Sequence, residues 1–234
     1  MNNLPTIGLK KGFYIAFEGL DFSGKSHQID LLRQAFQKIG FKVNVVREPG
    51  GCELGEELRN LIKNKNVEIC PEAMLLLMNA ARVQMLTNNV KPSLDRGEIV
   101  ISDRSFYSSL LYQMWGNQLN PNITKAIISF SVKDITPDLV FVLDASEEER
   151  AKRKAKRNNT DRFESAPEDY LDRVKQGFEW LKGLEKKSNK IITIDTSGTI
   201  EMTHTEIYRC AAFRIGKLKD GQLEIDKAKQ IITI

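Results

Sequence analysis

Short apolar runs alternate with longer amphipathic stretches along this chain, and that alternation predicts its architecture. Phe13-Tyr14-Ile15-Ala16-Phe17 is apolar throughout and reads as a buried strand. Ile29, Leu32, Phe36 and Ile39 then recur at helical spacing until Gly40 stops the run. Further runs of strand length lie at Phe41 to Val46, Glu98 to Ser102, Asp138 to Leu143 and Ile191 to Ile194. Helical patterns fill the gaps. Leu54, Leu58, Leu61 and Ile62 mark a short amphipathic helix carrying Arg59. Pro71 suits the first turn of the next helix, whose stretch from Ala73 to Met78 is apolar all round and predicts burial. Ser105 to Trp115 reads as loop turning to helix, and Lys125 to Val132 as another helix. Ser146 with Glu149 three later forms a capping box. Leu171, Val174, Phe178 and Leu181 give a clear stripe, and a last helix runs from Thr199 to about Gly216. Five strands alternating with helices predict an α/β fold, a parallel sheet covered on both faces. Residues 1–12 read as a lead-in, and Lys219-Asp220-Gly221-Gln222 between alternating segments predicts a small β-hairpin.

Composition narrows the class. With 41% hydrophobic and 28% charged residues in 234, one globular domain over 1–234 accounts for the whole chain. A formal charge of +4 is too small to argue for nucleic acid. Cys52, Cys70 and Cys210 are odd in number and lack metal-ligand spacing, so they read as reduced thiols of an intracellular protein. His27 and His204 are too isolated to suggest a metal site. No apolar run nears the roughly 20 residues of a membrane span, and no secretory core follows the N-terminus. The expectation is a cytoplasmic enzyme.

The chemistry starts between the first strand and the first helix. Gly19-Leu20-Asp21-Phe22-Ser23-Gly24-Lys25-Ser26 fits the phosphate-loop pattern G-x-x-x-x-G-K-[ST]. Its glycines let backbone N–H groups face a phosphate chain, Lys25 adds a point charge at the outer phosphates, and Ser26 offers a hydroxyl to Mg²⁺. Arg47-Glu48-Pro49-Gly50-Gly51 is a turn at the C-terminal end of the second strand, where ligands bind in open parallel sheets. Asp103-Arg104 ends the third strand; by itself it is also compatible with a simple ion pair. Met78 and Arg82 share a helix face, as a base site or as a core residue beside a surface cation. Glu48, Glu53 and Glu56 read as structural or surface carboxylates.

Arg150, Lys152, Arg153, Lys154, Lys156 and Arg157 crowd one helix, and Asn158-Asn159-Thr160 breaks it before Asp161-Arg162. Such a run is often a solvated face or a nucleic-acid patch. Beside a phosphate loop it predicts a mobile lid over about 150–164 that brings arginines to phosphates and expels water. No Asn/Thr-Lys-x-Asp stretch follows a strand, which argues against a GTPase.

Taken in order, Glu18 to Ser26, Arg47 to Gly51, Leu54 to Arg59, Ala80 to Gln84, Asp103-Arg104 with Ser108, Tyr112-Gln113 and Asp161 to Glu164 resemble bacterial-type thymidylate kinase, a P-loop nucleoside monophosphate kinase family. The resemblance covers about Phe13 to Ile194. It implies transfer of the γ-phosphoryl of MgATP to dTMP, in a homodimer, with no nucleic acid or membrane partner. It implies that Gly19 to Ser26 hold the ATP phosphates, with Ser26 and Asp103 serving Mg²⁺. Asp21 resembles the loop carboxylate that sets the sugar and a neighbouring arginine. Arg47, Arg59 and Arg104 resemble the cluster facing the acceptor phosphate, and Pro49 the turn residue near the base. Arg82 and Ser109 would read the pyrimidine edge beside Ser108, and Tyr112 would crowd the sugar 2′ position. Family members without an arginine after the loop aspartate take their catalytic cation from the lid. Phe22 stands there, so Arg153 or Arg157 is the expected transition-state cation, with Arg162 supporting the lid or the nucleotide. Met78 stands where bacterial members carry a phenylalanine stacked on thymine, which predicts looser discrimination against dUMP. The tail from about 217–234 exceeds the family's usual length.

Two other functions fit the same loop. A deoxynucleoside kinase acting on thymidine would share an acid-Arg-Ser motif, as in Asp103-Arg104-Ser105, but Arg47 and Arg59 favour a phosphorylated acceptor. A nucleotide-binding regulator could keep the fold and lose the chemistry; the intact Lys25, Ser26 and lid arginines oppose it.

Overall fold

The structure, a computed structural model, describes residues 9–155, 162–163 and 166–217. The first eight residues of the lead-in, Arg157, Asp161, Glu164, part of the lid and the C-terminal hairpin lie outside the described residues.

Every strand of the sheet comes from an apolar run. β1 (Phe13–Glu18), β2 (Val43–Arg47), β3 (Ile99–Asp103), β4 (Leu139–Asp144) and β5 (Ile191–Asp195) pair in the order β2-β3-β1-β4-β5, all neighbours parallel. Because β1 is central, its six residues are buried on both faces, Glu18 included. Parallel pairing aligns the C-terminal ends of β1, β2 and β3. Phe17 registers with Asp103, and Asp103 with Arg47.

α1 (Lys25–Lys38) and α9 (Ile200–Lys217) cover one face, through Ile29, Leu32, Phe36, Ile207, Tyr208 and Ile215. On the other face lie α2 (Glu53–Lys63), α3 (Pro71–Met85), α4 (Lys91–Asp95), α5 (Phe106–Ser109) and α6 (Pro121–Val132), followed by α7 (Glu147–Ala155) and α8 (Glu168–Gly183). α8 buries Val174, Phe178 and Leu181 as its stripe requires. The five-stranded parallel sheet matches the sequence expectation; three local features differ.

The stretch Ala73–Met78 is not wholly buried. α3 packs on α2 and α6 with one face, and Leu76 on the other is 56% exposed. A second helical stretch continues from α3 through a π-helical turn, Leu86–Val90, into α4, with Pro92, which has no backbone N–H to donate, just after the wider turn. The third difference bears on function: α5 is a single turn that widens into a π-helix over Leu110–Gly116. At the start of α7, Ser146 Oγ accepts from Glu149 N at 3.2 Å, as a capping residue should.

Candidate functional site

β1 ends inside the sheet, so the chain must turn sharply to reach α1. Gly19 takes φ +151°, Phe22 +67° and Gly24 +93°. A Cβ on Gly19 would meet the Leu143 carbonyl oxygen and Ser23 Oγ at 2.6 Å, which excludes any other residue there. Ser23 N donates to Leu20 O at 3.2 Å, closing the loop, while Ser23 Oγ is buried without a partner among the described residues. The loop delivers the N-terminus of α1 and its free amides to the cavity.

Lys25 is buried, and its Nζ donates to Gly19 O and Leu20 O at 3.0 Å. Burial, reinforced by Arg104, pulls its ammonium down to about 8. Ser26 Oγ donates to Asp103 Oδ2 at 3.1 Å, so a hydroxyl and a carboxylate sit together at the helix start. Hard oxygen donors of this kind suit Mg²⁺, which uses one or two protein oxygens and fills its shell with water and substrate phosphate. Among the described residues no group of three or more His, Cys, Asp or Glu could hold an ion by itself.

Opposite the loop stands Arg104, itself in the left-handed region at φ +73°. Its amide donates to Phe17 O at 2.9 Å, and its carbonyl accepts from Ser102 Oγ at 2.5 Å. Its guanidinium meets Asp21 Oδ1 at 2.5 Å and Ser108 Oγ at 3.3 Å, and lies 5.2 Å over the Tyr112 ring. Burial opposes ionisation of Asp21, but Arg104 and Lys25 outweigh it and hold the carboxyl below its usual range.

A buried polar knot closes the far end. Arg82 Nε donates to Glu48 Oε2 at 2.7 Å, one terminal nitrogen to Asn79 Oδ1 at 2.5 Å, and the other to Ser109 Oγ at 2.9 Å. Burial pushes the Glu48 carboxyl up, with Arg82 pulling against it. Gln113, 1% exposed, lines the same end, and its Nε2 has no partner among the described residues. The π-helical turn brings Gln113 beside Ser109 and Tyr112 in the lining.

These parts surround one cavity of about 360 Å³, the size of a small-molecule site. Of the residues expected from sequence, Asp21, Phe22, Gly24, Lys25, Ser26, Pro49, Arg59, Met78, Arg82, Asp103, Arg104, Ser108, Ser109 and Tyr112 line it together. Arg59 also donates to Pro49 O at 2.8 Å. Gly19, Leu20 and Ser23 form the loop behind that surface. Arg47 is not brought to the cavity: it turns outward onto Glu56 at 2.6 Å. Arg153 lies against the loop from outside, donating to Phe22 O at 3.2 Å and Thr196 O at 2.7 Å. Arg162 donates to the carbonyls of Asn64 and Val67, beyond the end of α2. Its neighbour Phe163 enters the cavity and packs edge-on to Tyr112, with ring centroids 5.7 Å apart.

Sequence reasoning missed Lys63, Phe163, Gln113 and Glu48 as lining residues. Gln113 carried two signals: it follows Tyr112 in the same motif, and it stands four residues after Ser109, the spacing that puts two side chains on one helix face. Glu48 carried one as well: a carboxylate between a strand and Pro49 had to be paired once buried.

Known proteins are similar to this chain in sequence and fold. The family model described as Thymidylate kinase matches residues 17–207. The thymidylate kinase of Fervidobacterium nodosum is 35% identical over 196 residues, covering 84% of this chain and 96% of that protein. That of Halothermothrix orenii is 35% identical over 201 residues, covering 85% and 95%. Among solved structures, thymidylate kinase from Ehrlichia chaffeensis superposes with a TM-score of 0.68 at 26% identity, over 86% of this chain and 99% of that one.

Proposed function

The chain belongs to the thymidylate kinase family, and from that premise we propose how its cavity moves the γ-phosphoryl group of ATP to dTMP. The fold is that of a P-loop kinase, and the activity is dTMP kinase. One observation carries the residue roles: a single cavity is lined at one end by Lys25 and Ser26 and at the other by Arg82 and Ser109, with the Asp21–Arg104 pair between them.

The loop from Gly19 to Ser26 cradles the ATP phosphates, and Lys25 exchanges its two carbonyl partners for the outer phosphates. Ser26 and Asp103 would hold Mg²⁺ arriving with ATP, an ion that offsets charge on the phosphates. Arg104 and Arg59 meet the acceptor phosphate. An oxygen of that phosphate attacks the γ-phosphorus, and the bond to the bridging oxygen of ADP breaks. No proton has to leave the nucleophile, so no general base is required. The cations align the two anions and offset the charge spread over the transferring group.

Arg47 joins them by leaving Glu56. That exposed pair is worth about 0–1 kcal/mol, less than a charge-assisted bond to phosphate returns. Arg153, already beside Phe22 and 3.6 Å from where a Cβ on Gly24 would lie, serves as the lid cation. Arg157 is the other lid candidate. Arg82, aimed by Glu48 and Asn79, reads the pyrimidine edge with Ser109 and Gln113, and Tyr112 closes the sugar side. Met78 covers the base.

We also propose a homodimer formed through α3 and α6. These helices pack on one another, and Leu76, Ile123 and Phe130 are left exposed on them. Free thiols at Cys52, Cys70 and Cys210 suit the reducing cytoplasm.

The test is ATP consumption with Mg²⁺ against dTMP, dUMP, dCMP, dGMP and thymidine in parallel, with Lys25→Ala as the blank. Strong preference for dTMP supports the roles given to Arg82 and Ser109. Turnover of thymidine alone would overturn the acceptor-phosphate reading of Arg59 and Arg104.

A further inference from the structure

Glu18 takes no part in the reaction just described, yet it is the most completely enclosed carboxylate beside the site, at 0% exposure. Such a group is costly to bury unless every lone pair is used. Oε1 accepts from Ser105 N at 2.8 Å, Ser105 Oγ at 2.8 Å and Ser108 N at 3.2 Å. Oε2 accepts from Ser108 Oγ at 2.8 Å. All four donors come from the turn that follows Arg104, while Glu18 itself immediately precedes Gly19 and the phosphate loop.

The polarity of these bonds matters more than their number. Ser108 Oγ has one proton, and a carboxylate accepts only, so that proton points at Glu18. The hydroxyl lone pair is thereby turned toward Arg104, whose terminal nitrogen donates to it at 3.3 Å. Arg104 donates to Ser108, and Ser108 to Glu18. The same turn is fixed from the other side by Arg104 N on Phe17 O, one residue before Glu18. A neutral cap would hold α5 equally well; Ser105 already caps it, accepting from Tyr107 N at 3.4 Å. Capping therefore does not account for the charge.

We propose that Glu18 is a positioning residue for phosphoryl transfer: through Ser108 it sets the direction and reach of the Arg104 guanidinium relative to the phosphate loop. The inference rests on the reading of Arg104 as a ligand of the acceptor phosphate.

Glu18→Gln tests it. Three donors converge on Oε1, so the amide oxygen must occupy that place, and the NH₂ faces Ser108 Oγ. The amide then donates where the carboxylate accepted, Ser108 loses its acceptor, and its proton competes with Arg104. The variant keeps the shape and three of the four bonds. We expect kcat to fall roughly 10- to 100-fold, the scale of a misplacement of about 1 Å, with KM for ATP within about twofold of the parent. In a Ser108→Ala background the relay is absent, so the same change should cost less than about threefold in kcat. An equal loss in both backgrounds would mean that Glu18 does not act through Ser108, and the proposal fails. It also fails if KM for ATP and kcat shift together, as a general loss of loop structure would give. If Glu18→Gln does not fold, Ser108→Ala alone decides: kcat lowered with ATP affinity intact supports the relay, and unchanged kcat refutes it.

Arg104→Ala separates this inference from the reading beneath it. Full dTMP turnover without Arg104 defeats the acceptor-phosphate role itself. Loss of turnover in Arg104→Ala alongside a parent-like Glu18→Gln leaves that role standing and defeats only the part given to Glu18.

Discussion

Arg47 and Glu48 adjoin at the end of β2 and each forms an ion pair, but the pairs sit in different solvents. Arg47 and Glu56 meet at the rim with side chains 53% and 37% exposed, while Glu48 and Arg82 meet in the interior at 6% and 2%. In water the Coulomb gain nearly cancels against hydration and side-chain entropy, so the outer pair can be exchanged for a ligand at little cost. In the interior neither group can leave its partner, because an unpaired charge would remain buried. The site thus holds a fixed end and an adjustable end one residue apart. A flat base edge calls for donors that do not move, and an arriving dianion for cations that do.

The largest expected effect lies at the fixed end. Glu48→Gln leaves the Arg82 charge buried without its counter-ion and should lower stability by about 3–5 kcal/mol, read as a shift of the denaturant midpoint at constant slope. A loss below about 1 kcal/mol would mean that water reaches this pair and that the contrast between the two ends is false. Burial still pushes the Glu48 carboxyl up despite Arg82. Desolvation of two buried charges offsets much of their mutual attraction, so the physical product of such a pair is the aim of the guanidinium rather than stability.

Lys25 extends the contrast to the donor loop, where a buried charge waits for a ligand instead of a protein partner. Its free-state value of about 8 lies below the ordinary lysine range because burial disfavours the ammonium. The charged form that phosphate needs is thus present below about 8 and lost above it. We expect kcat/KM for ATP to fall above about pH 8, approaching tenfold per unit, since this parameter reports the free enzyme. A flat profile up to pH 9.5 would show that the ammonium is better solvated than its two carbonyl contacts imply. At the adjustable end, Arg47→Ala should raise KM for dTMP about tenfold, near 1.4 kcal/mol, while changing stability by less than about 1 kcal/mol. An unchanged KM would leave Arg47 on Glu56 throughout the cycle.

The same physics explains which parts of the molecule could be read from sequence. The strands were legible as short runs, most clearly where burial on both faces demands continuous apolarity, as in β1 up to Phe17; the edge strands β2 and β5 are only partly buried. The loop was legible because a tight turn against Leu143 tolerates only glycine at position 19. The partners of the cations were not. Nothing in a linear pattern distinguishes Arg47, which turns to Glu56, from Arg82, which turns to Glu48, since both choices are made by residues that converge only in the fold. The π-helical turn over Leu110–Gly116 was equally hidden, because spacing rules assume a regular helix, although Gln113 stands four residues after Ser109 and so shared its predicted face. The four-residue offset of Met78 from Arg82 put the two on one helix face, and the family resemblance put that face at the base; both residues line the cavity.

The smallest effect expected belongs to that residue, and it probes whether the fixed end is fixed on both sides of the base. Arg82, the proposed reader of the polar edge with Ser109, is itself held to Glu48, Asn79 and Ser109 by bonds at 2.5 to 2.9 Å. Met78 has no such network; its side chain is unbranched with three rotatable bonds, so it covers a ring without imposing one orientation. With Met78 in the proposed base-covering role, the thymine methyl would be sensed only by general contact, and that would limit how far dUMP is rejected. Met78→Phe replaces the thioether with a planar surface whose stacking geometry is worth about 0.5–1.5 kcal/mol beyond area. Since stacking favours both bases and only its alignment favours the methylated one, the ratio of kcat/KM for dTMP over dUMP should rise by about two- to fivefold. An increase in both values with no change in ratio would mean that the methyl is read elsewhere in the pocket. A fall in both would mean that the cavity cannot accept the ring beside Phe163 and Tyr112, and that Met78 is there because the lid needs the space.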